Sequence, residues 1–271
     1  MGGGSPGALT QGWPRWFAIL GRHTRAIVAV LALVTTALAW LHYTSLEQQT
    51  RMMRSDFNTI LTDPKLRDVA LHHGREVFLA HCSGCHGAQG KGNSATAVPD
   101  LTDNDFLYGR GEPGEIEQIV LHGIRSGDSK GWSLAAMPAF AWQIPYPADP
   151  QLPPLTPAQL RDLVVFLRAA NGSSGYDPDQ IVRGRNLFDG SAGCWDCHGN
   201  DAAGDSSIGA PNLVDGKWLK GNGSETDIAY TIEHGLADVS PAFAHFLSAY
   251  DARTVAVYTA SLHSQAKSAT R

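Results

Sequence analysis

Cys82-Ser83-Gly84-Cys85-His86 and Cys194-Trp195-Asp196-Cys197-His198 are two copies of C-x-x-C-H, and together they use all four cysteines of the chain. Two thiols three positions apart on one helical turn can each form a thioether with a vinyl group of one porphyrin. The histidine that follows then reaches the iron, which is the attachment chemistry of c-type haem. C-x-x-C pairs also hold zinc or cycle as redox disulfides. A zinc ribbon brings its second pair within about 20 residues, whereas here over a hundred residues intervene and a histidine follows both pairs. The expectation is two covalently bound haem c groups, with His86 and His198 as proximal iron ligands.

The opposite face of each iron needs its own ligand. Met137-Pro138-Ala139-Phe140 follows the second helix expected in the first copy, where a small cytochrome c places its distal methionine. A thioether favours ferrous iron and raises the potential, so His86 with Met137 reads as a six-coordinate electron-transfer site; a lone methionine otherwise fills a core. The second copy has Ser240-Pro241-Ala242-Phe243 at this landmark, and no methionine follows Met137. The second iron then takes another ligand or stays open or water-bound. His245, five residues beyond Ser240, is the candidate ligand, while His234 matches His122 of the first copy and reads as structural, and His263 stands near the chain end. Pro99 and Pro211 each follow their proximal histidine by thirteen residues. A carbonyl there can accept the histidine Nδ1–H and fix the ring. Trp132, Tyr108 and Trp218 read equally as haem-packing groups or as plain core.

The elements that must position these residues recur. Cys82/Cys194, His86/His198, Pro99/Pro211, Leu101/Leu213, Gly109/Gly221, Ile116/Ile228 and His122/His234 share one offset of 112, the mark of a duplicated unit. Gly74-Arg75-Glu76-Val77-Phe78 and Gly184-Arg185-Asn186-Leu187-Phe188 each precede a haem motif as an amphipathic helix. Residues 156–170 have Leu160, Leu163, Val164 and Leu167 at helical spacing behind Thr156-Pro157, and residues 248–262 are their counterpart. Asn171-Gly172-Ser173-Ser174-Gly175 reads as a flexible linker between the copies. No strand-period alternation stands out. The expected fold is all-α, with domains at 44–172 and 173–271.

Residues 26–41 form an unbroken apolar to weakly polar run of sixteen, ending beside Trp40 and Tyr43. As a helix the run is roughly 24 Å long, against a hydrocarbon core of about 30 Å. Snorkelling arginines and interfacial aromatics close the gap. Arg15, Arg22 and Arg25 precede it, so residues 1–43 read as a single-pass anchor, helical from about 26 to 43, with a cytoplasmic N-terminus and the haem domains on the periplasmic face of a bacterial inner membrane. Ala37-Leu38-Ala39 matches a signal-peptidase pattern, but the stretch before the run is long for a signal. Three of the 21 basic residues precede Glu47, which leaves 18 against 26 acidic side chains. Such a balance excludes nucleic acid as a partner and suits a redox protein with a basic docking patch.

The stretches GREVFLAHCSGCHGAQGKG, VPDLTDNDFLYG and AAMPAF, then GCWDCHG, APNLVDGKWLKG and SPAF, resemble subunit III of cbb3-type haem-copper cytochrome c oxidases. The resemblance covers most of residues 26–265. It implies a membrane anchor joined to two tandem cytochrome c domains that relay electrons toward an oxidase core; related anchored cytochromes serve membrane dehydrogenases. Carried over by motif, Cys82, Cys85, His86 and Met137 serve the first haem, and Cys194, Cys197 and His198 the second. Ser240 departs from the family, which has methionine at both distal positions. The function expected is electron transfer without substrate chemistry of its own. The rival is a peroxidase-like haem enzyme or a gas or redox sensor using an open second haem.

Overall fold

The computed structural model describes residues 15–141 and 154–269, with the side chains of 15–20, 22 and 264–269 outside the described set, so those of Arg15 and Arg22 are not placed. Ten α-helices and a 3₁₀ turn are present among the described residues, and only isolated bridges occur in place of strands. The all-α expectation therefore holds. The described residues up to Arg51 and those from Met52 onward form separate compact units.

The first unit consists of most of α1, Arg15–Arg54. Its segment from His23 is long and apolar enough to cross a membrane. Ile27, Val28, Leu31, Leu33, Leu38, Trp40 and Tyr43 all expose more than half of their surface, which is the pattern of a helix whose solvent is lipid. The helix continues unbroken through the Ala37-Leu38-Ala39 sequence and past the apolar run into polar residues.

In the second unit α2 (Phe57–Thr62) and α3 (Pro64–His81) start on Asp56 and Asp63, each accepting hydrogen bonds from first-turn amides. Proline at the first turn also opens α5 (Pro113–His122), α6 (Pro157–Ala170) and α7 (Pro178–Phe188). The single-turn helices α4 (Ser83–His86) and α8 (Trp195–His198) carry the haem motifs, while α9 (Glu225–His234) and α10 (Ala249–Ala269) complete the chain.

The packing crosses the boundary expected at residue 172. α10, the last helix of the second copy, packs on α3 and α5 of the first, and α6, the last helix of the first copy, packs on α7 and α9 of the second. Each crossing pivots on a glycine. A Cβ at Gly74 would overlap the carbonyl of Thr254 on α10, and one at Gly184 would overlap the carbonyl of Asp162 on α6. One core gathers Val77 and Phe78 with Leu247, Val255, Tyr258 and Leu262; the other gathers Phe140, Leu163, Phe166 and Leu167 with Phe188, Ile228 and Ile232. Within this unit the helices of the two repeat copies therefore interleave across residue 172. Both α6 and α10 bury an apolar face, and helical periodicity marks that face without saying which helix covers it. Residues 171–175 likewise connect two helices of one body. Asn171 Nδ2 donates to the carbonyl of Leu213 at 2.6 Å, and its Oδ1 accepts from the amide of Gly216 at 2.8 Å.

Residues 52–70 brace α10. Met52, Ile60, Leu66 and Ala70 bury with Val257. Arg253 donates to the carbonyls of Met52, Met53 and Ser55 at 3.2, 2.9 and 3.1 Å, satisfying the open end of α1.

A chain restricted to residues 52–172 loses α10 and leaves Val77 and Phe78 uncovered. Truncating one buried phenylalanine costs about 3–5 kcal/mol, a large share of the about 5–15 kcal/mol that holds a domain folded. That fragment is expected to melt without cooperativity and to be cut rapidly by protease. A cooperative, resistant product would show that each copy folds by itself.

Candidate haem sites

Both motifs adopt one geometry. Cys82 ends α3 and begins α4, and its carbonyl accepts from the amides of Cys85 and His86 at 3.2 and 3.0 Å. The carbonyl of Cys194 accepts from Cys197 and His198 at 3.3 and 3.0 Å. Gly87 and Gly199 then leave the helix at φ 73° and 75°, a conformation that favours glycine. One helical turn thereby sets two sulfurs and an imidazole on the same edge of the chain.

The proximal rings are fixed from behind. His86 Nδ1 lies 3.3 Å from the carbonyl of Pro99 and His198 Nδ1 lies 3.0 Å from that of Pro211. A carbonyl only accepts, so Nδ1 carries the proton and Nε2 keeps its lone pair for iron. Burial pushes both histidines below their usual range, with the proline carbonyls pulling the other way. Both shifts favour the neutral ring, the form that could bind iron. Burial also pushes Cys82 up to about 11 and Cys194 up to about 12, and raises Cys197. An environment that disfavours thiolate suits a thioether sulfur, which has no proton to lose. Zinc would need thiolates and a fuller ligand set, and among the described residues no group of three His, Cys, Asp or Glu side chains comes together. The residues present fit covalent haem.

Two positions not singled out from sequence make the proline contact possible. A Cβ at Gly92 would overlap the carbonyls of Val98 and Pro99, and one at Gly204 would crowd those of Ala210 and Pro211. Both glycines have positive φ, 66° and 81°. The signal was available, because they share the offset of 112.

The two haem loops meet each other. Gly109 donates its amide to the carbonyl of Ser206 at 3.0 Å, and Gly221 donates to Ser94 at 2.9 Å. These four residues are two repeat-related pairs, so the contact is reciprocal. Tyr108 lies against Gly209 and accepts from Arg125 Nη1 at 2.7 Å, with its ring edge-on to Trp132 at 5.5 Å. Tyr108 and Trp132 thus belong to the seam between the copies. Trp218 packs on the core around the second motif.

The distal segments also cross. Met137 exchanges two 3.0 Å backbone hydrogen bonds with Leu236, and Phe140 and Ala141 donate to Ile232 and Glu233 of α9. Ser240 exchanges 3.0 and 2.9 Å bonds with Ile124, and Phe243 and Ala244 donate to Val120 and Leu121 of α5. The Met137 side chain packs against the core that holds Phe188, Ile228, Ile232 and Cys194. Cys82 of the first motif packs on the other core, the one with Phe78 and Tyr258, so it and Met137 border different cores. His245 was expected near the second iron; it is exposed, on the segment lying against α5. His234 stacks on Tyr230 at 4.0 Å with Nδ1 2.9 Å from its carbonyl, as a structural residue would. His263 lies edge-on to Phe106 at 5.1 Å.

Residues 71–171 match the cytochrome c family. A cbb3-type cytochrome c oxidase subunit FixP of Sinorhizobium medicae is 32% identical over 250 residues, covering 90% of this chain and 76% of that protein. A FixP subunit of Azorhizobium caulinodans is 34% identical over 74% of this chain and 62% of its own length. A CcoP subunit of Rhodobacter capsulatus is 35% identical over 78% and 69%. With two haem-attachment turns, two proline-braced histidines and similarity running through both copies, the chain belongs to the family of cbb3-type cytochrome c oxidase subunits FixP and CcoP, and is a dihaem c-type electron-transfer protein of a respiratory chain.

Proposed function

We propose that the chain is the membrane-anchored electron relay of a haem-copper oxidase of the cbb3 type. In this reading it receives electrons from a redox protein and passes them to the oxidase core. The observation that carries the reading is the reciprocal contact of the haem loops, Gly109 with Ser206 and Gly221 with Ser94. Two redox groups held on loops that touch within one body form a relay. When bound, each haem supplies a one-electron ferric/ferrous couple. The chain supplies the rest. Cys82, Cys85, Cys194 and Cys197 hold the two groups, His86 and His198 present Nε2, and the carbonyls of Pro99 and Pro211 set ring orientation and basicity. The long α1 acts as an uncleaved anchor with the N-terminus cytoplasmic and the haem bodies periplasmic. The acidic balance of the remaining chain steers partners with basic faces toward it.

Three outcomes check this reading. Denatured, acid-extracted protein should retain two haems per polypeptide, and the Cys194→Ala, Cys197→Ala variant should retain one; fewer in either case overturns covalent attachment. Membranes washed with carbonate should keep the protein, with residues after Tyr43 cut by protease added from the periplasmic side; recovery of a soluble form beginning near Trp40 would establish cleavage instead. Gly204→Ala should push the Pro211 carbonyl from His198, weaken the ring as a donor to ferric iron, and raise the potential of that haem alone in a redox titration. An unchanged potential would remove the proline carbonyl from the tuning of the site.

A further inference from the structure

We infer that Met137 gives its sulfur to the iron held at His198, in the other copy, and that the haem at Cys82, Cys85 and His86 is the one without a sulfur ligand. The inference rests on the two-haem reading above and reverses which haem that reading would leave open if each copy supplied its own methionine.

Three independent features of the fold converge on this assignment. The backbone of Met137 is tied on both sides to Leu236, two residues past the end of α9, while the segment at Ser240 is tied in the same way to Ile124, two residues past the end of α5. These pairs are related by the repeat, so the two distal segments have changed places rather than one of them straying. The methionine side chain then packs against the buried cluster that includes Phe188, Ile228 and Ile232, the same cluster on which Cys194 packs. The helices that follow have changed places too, α6 onto α7 and α10 onto α3, so an uncrossed methionine would have to leave a body in which its own downstream helix is a core element.

The methionine inventory completes the argument. The chain has four methionines. Met52 is fully buried beside Ile60, Leu66 and Val257, and Met53 adjoins it at the end of α1. Met1 lies outside the described residues. Among the described residues Met137 is the methionine away from the end of α1, and its backbone pairing holds it to Leu236 of the second copy. The segment paired with Ile124 of the first copy carries Ser240 in place of a methionine, and its hydroxyl is a short, hard donor that does not replace a thioether on ferrous haem. A haem without the thioether has the lower potential and, when reduced, an accessible sixth position.

The full-length protein separates the two assignments. The oxidised wild type should show one sulfur-to-iron charge-transfer band. The Cys82→Ala, Cys85→Ala variant, which removes the first haem, should keep that band at full intensity per polypeptide; the Cys194→Ala, Cys197→Ala variant should lose it. Carbon monoxide should bind the reduced form of the second variant and not of the first. Ser240→Met should add a second band and raise the lower of the two potentials toward the higher. The reverse pattern of band and carbon monoxide binding would overturn the inference, as would two bands or none in the wild type. Should removing a haem unfold the interleaved bodies, the intact reduced protein with methyl-labelled methionine decides. The ring-current-shifted Met137 methyl should show contacts to the haem bridged to Cys194 and Cys197, and contacts to the haem bridged to Cys82 and Cys85 would refute the assignment. A wild type with no covalent haem would instead defeat the two-haem reading itself.

Discussion

Four backbone hydrogen bonds, Met137 with Leu236 and Ser240 with Ile124, are the constraint from which the rest of the haem-bearing unit follows. Each is worth about 1 kcal/mol net. Their larger effect is topological, because they carry both chain directions across the axis between the copies, and the helices that follow must then complete the neighbouring body. The two glycine pivots, Gly74 under Thr254 and Gly184 under Asp162, bring α3 to α10 and α7 to α6 at backbone contact, where no other residue would fit without displacement. Interleaving of this kind makes the two haem bodies one cooperative object, with a reciprocal seam at the haem loops rather than a linker between independent beads.

The site chemistry is built twice from the same parts. A one-turn helix aligns two sulfurs and an imidazole, a glycine with positive φ admits a proline carbonyl behind the ring, and burial keeps both imidazoles neutral. Equivalent proximal sides leave the distal sides to create the difference between the two haems. In the assignment inferred above, Ser240 in place of methionine supplies it, and the crossed backbone determines which haem lacks the sulfur; the resulting difference in potential would give electron flow a direction.

The N-terminal unit obeys a different solvent. Its apolar side chains are exposed all round the helix, which water would penalise and hydrocarbon would not. Past this stretch the same helix turns polar, and at its end the carbonyls of Met52, Met53 and Ser55 meet Arg253. The guanidinium also stacks over Phe57 at 4.7 Å and lies 3.3 Å from Glu117.

Covalent chemistry and local structure were legible in the residues themselves. C-x-x-C-H names its own cofactor because thioether and imidazole ligation occur within one helical turn, and the 112 offset exposed the duplication, the proline carbonyls and, unnoticed, Gly92 and Gly204. The apolar run at 26–41 announced a membrane helix for the same local reason. What only the tertiary structure decided was pairing. The apolar periodicity of α6 and α10 marks a face to bury, and the backbone donors and acceptors at Met137 and Ser240 are alike, so their spacing does not distinguish a partner in the same copy from one in the other. That choice depends on how the chain crosses between the copies, a long-range property. It set Met137 against the core around the second motif and laid the segment that carries His245 along α5.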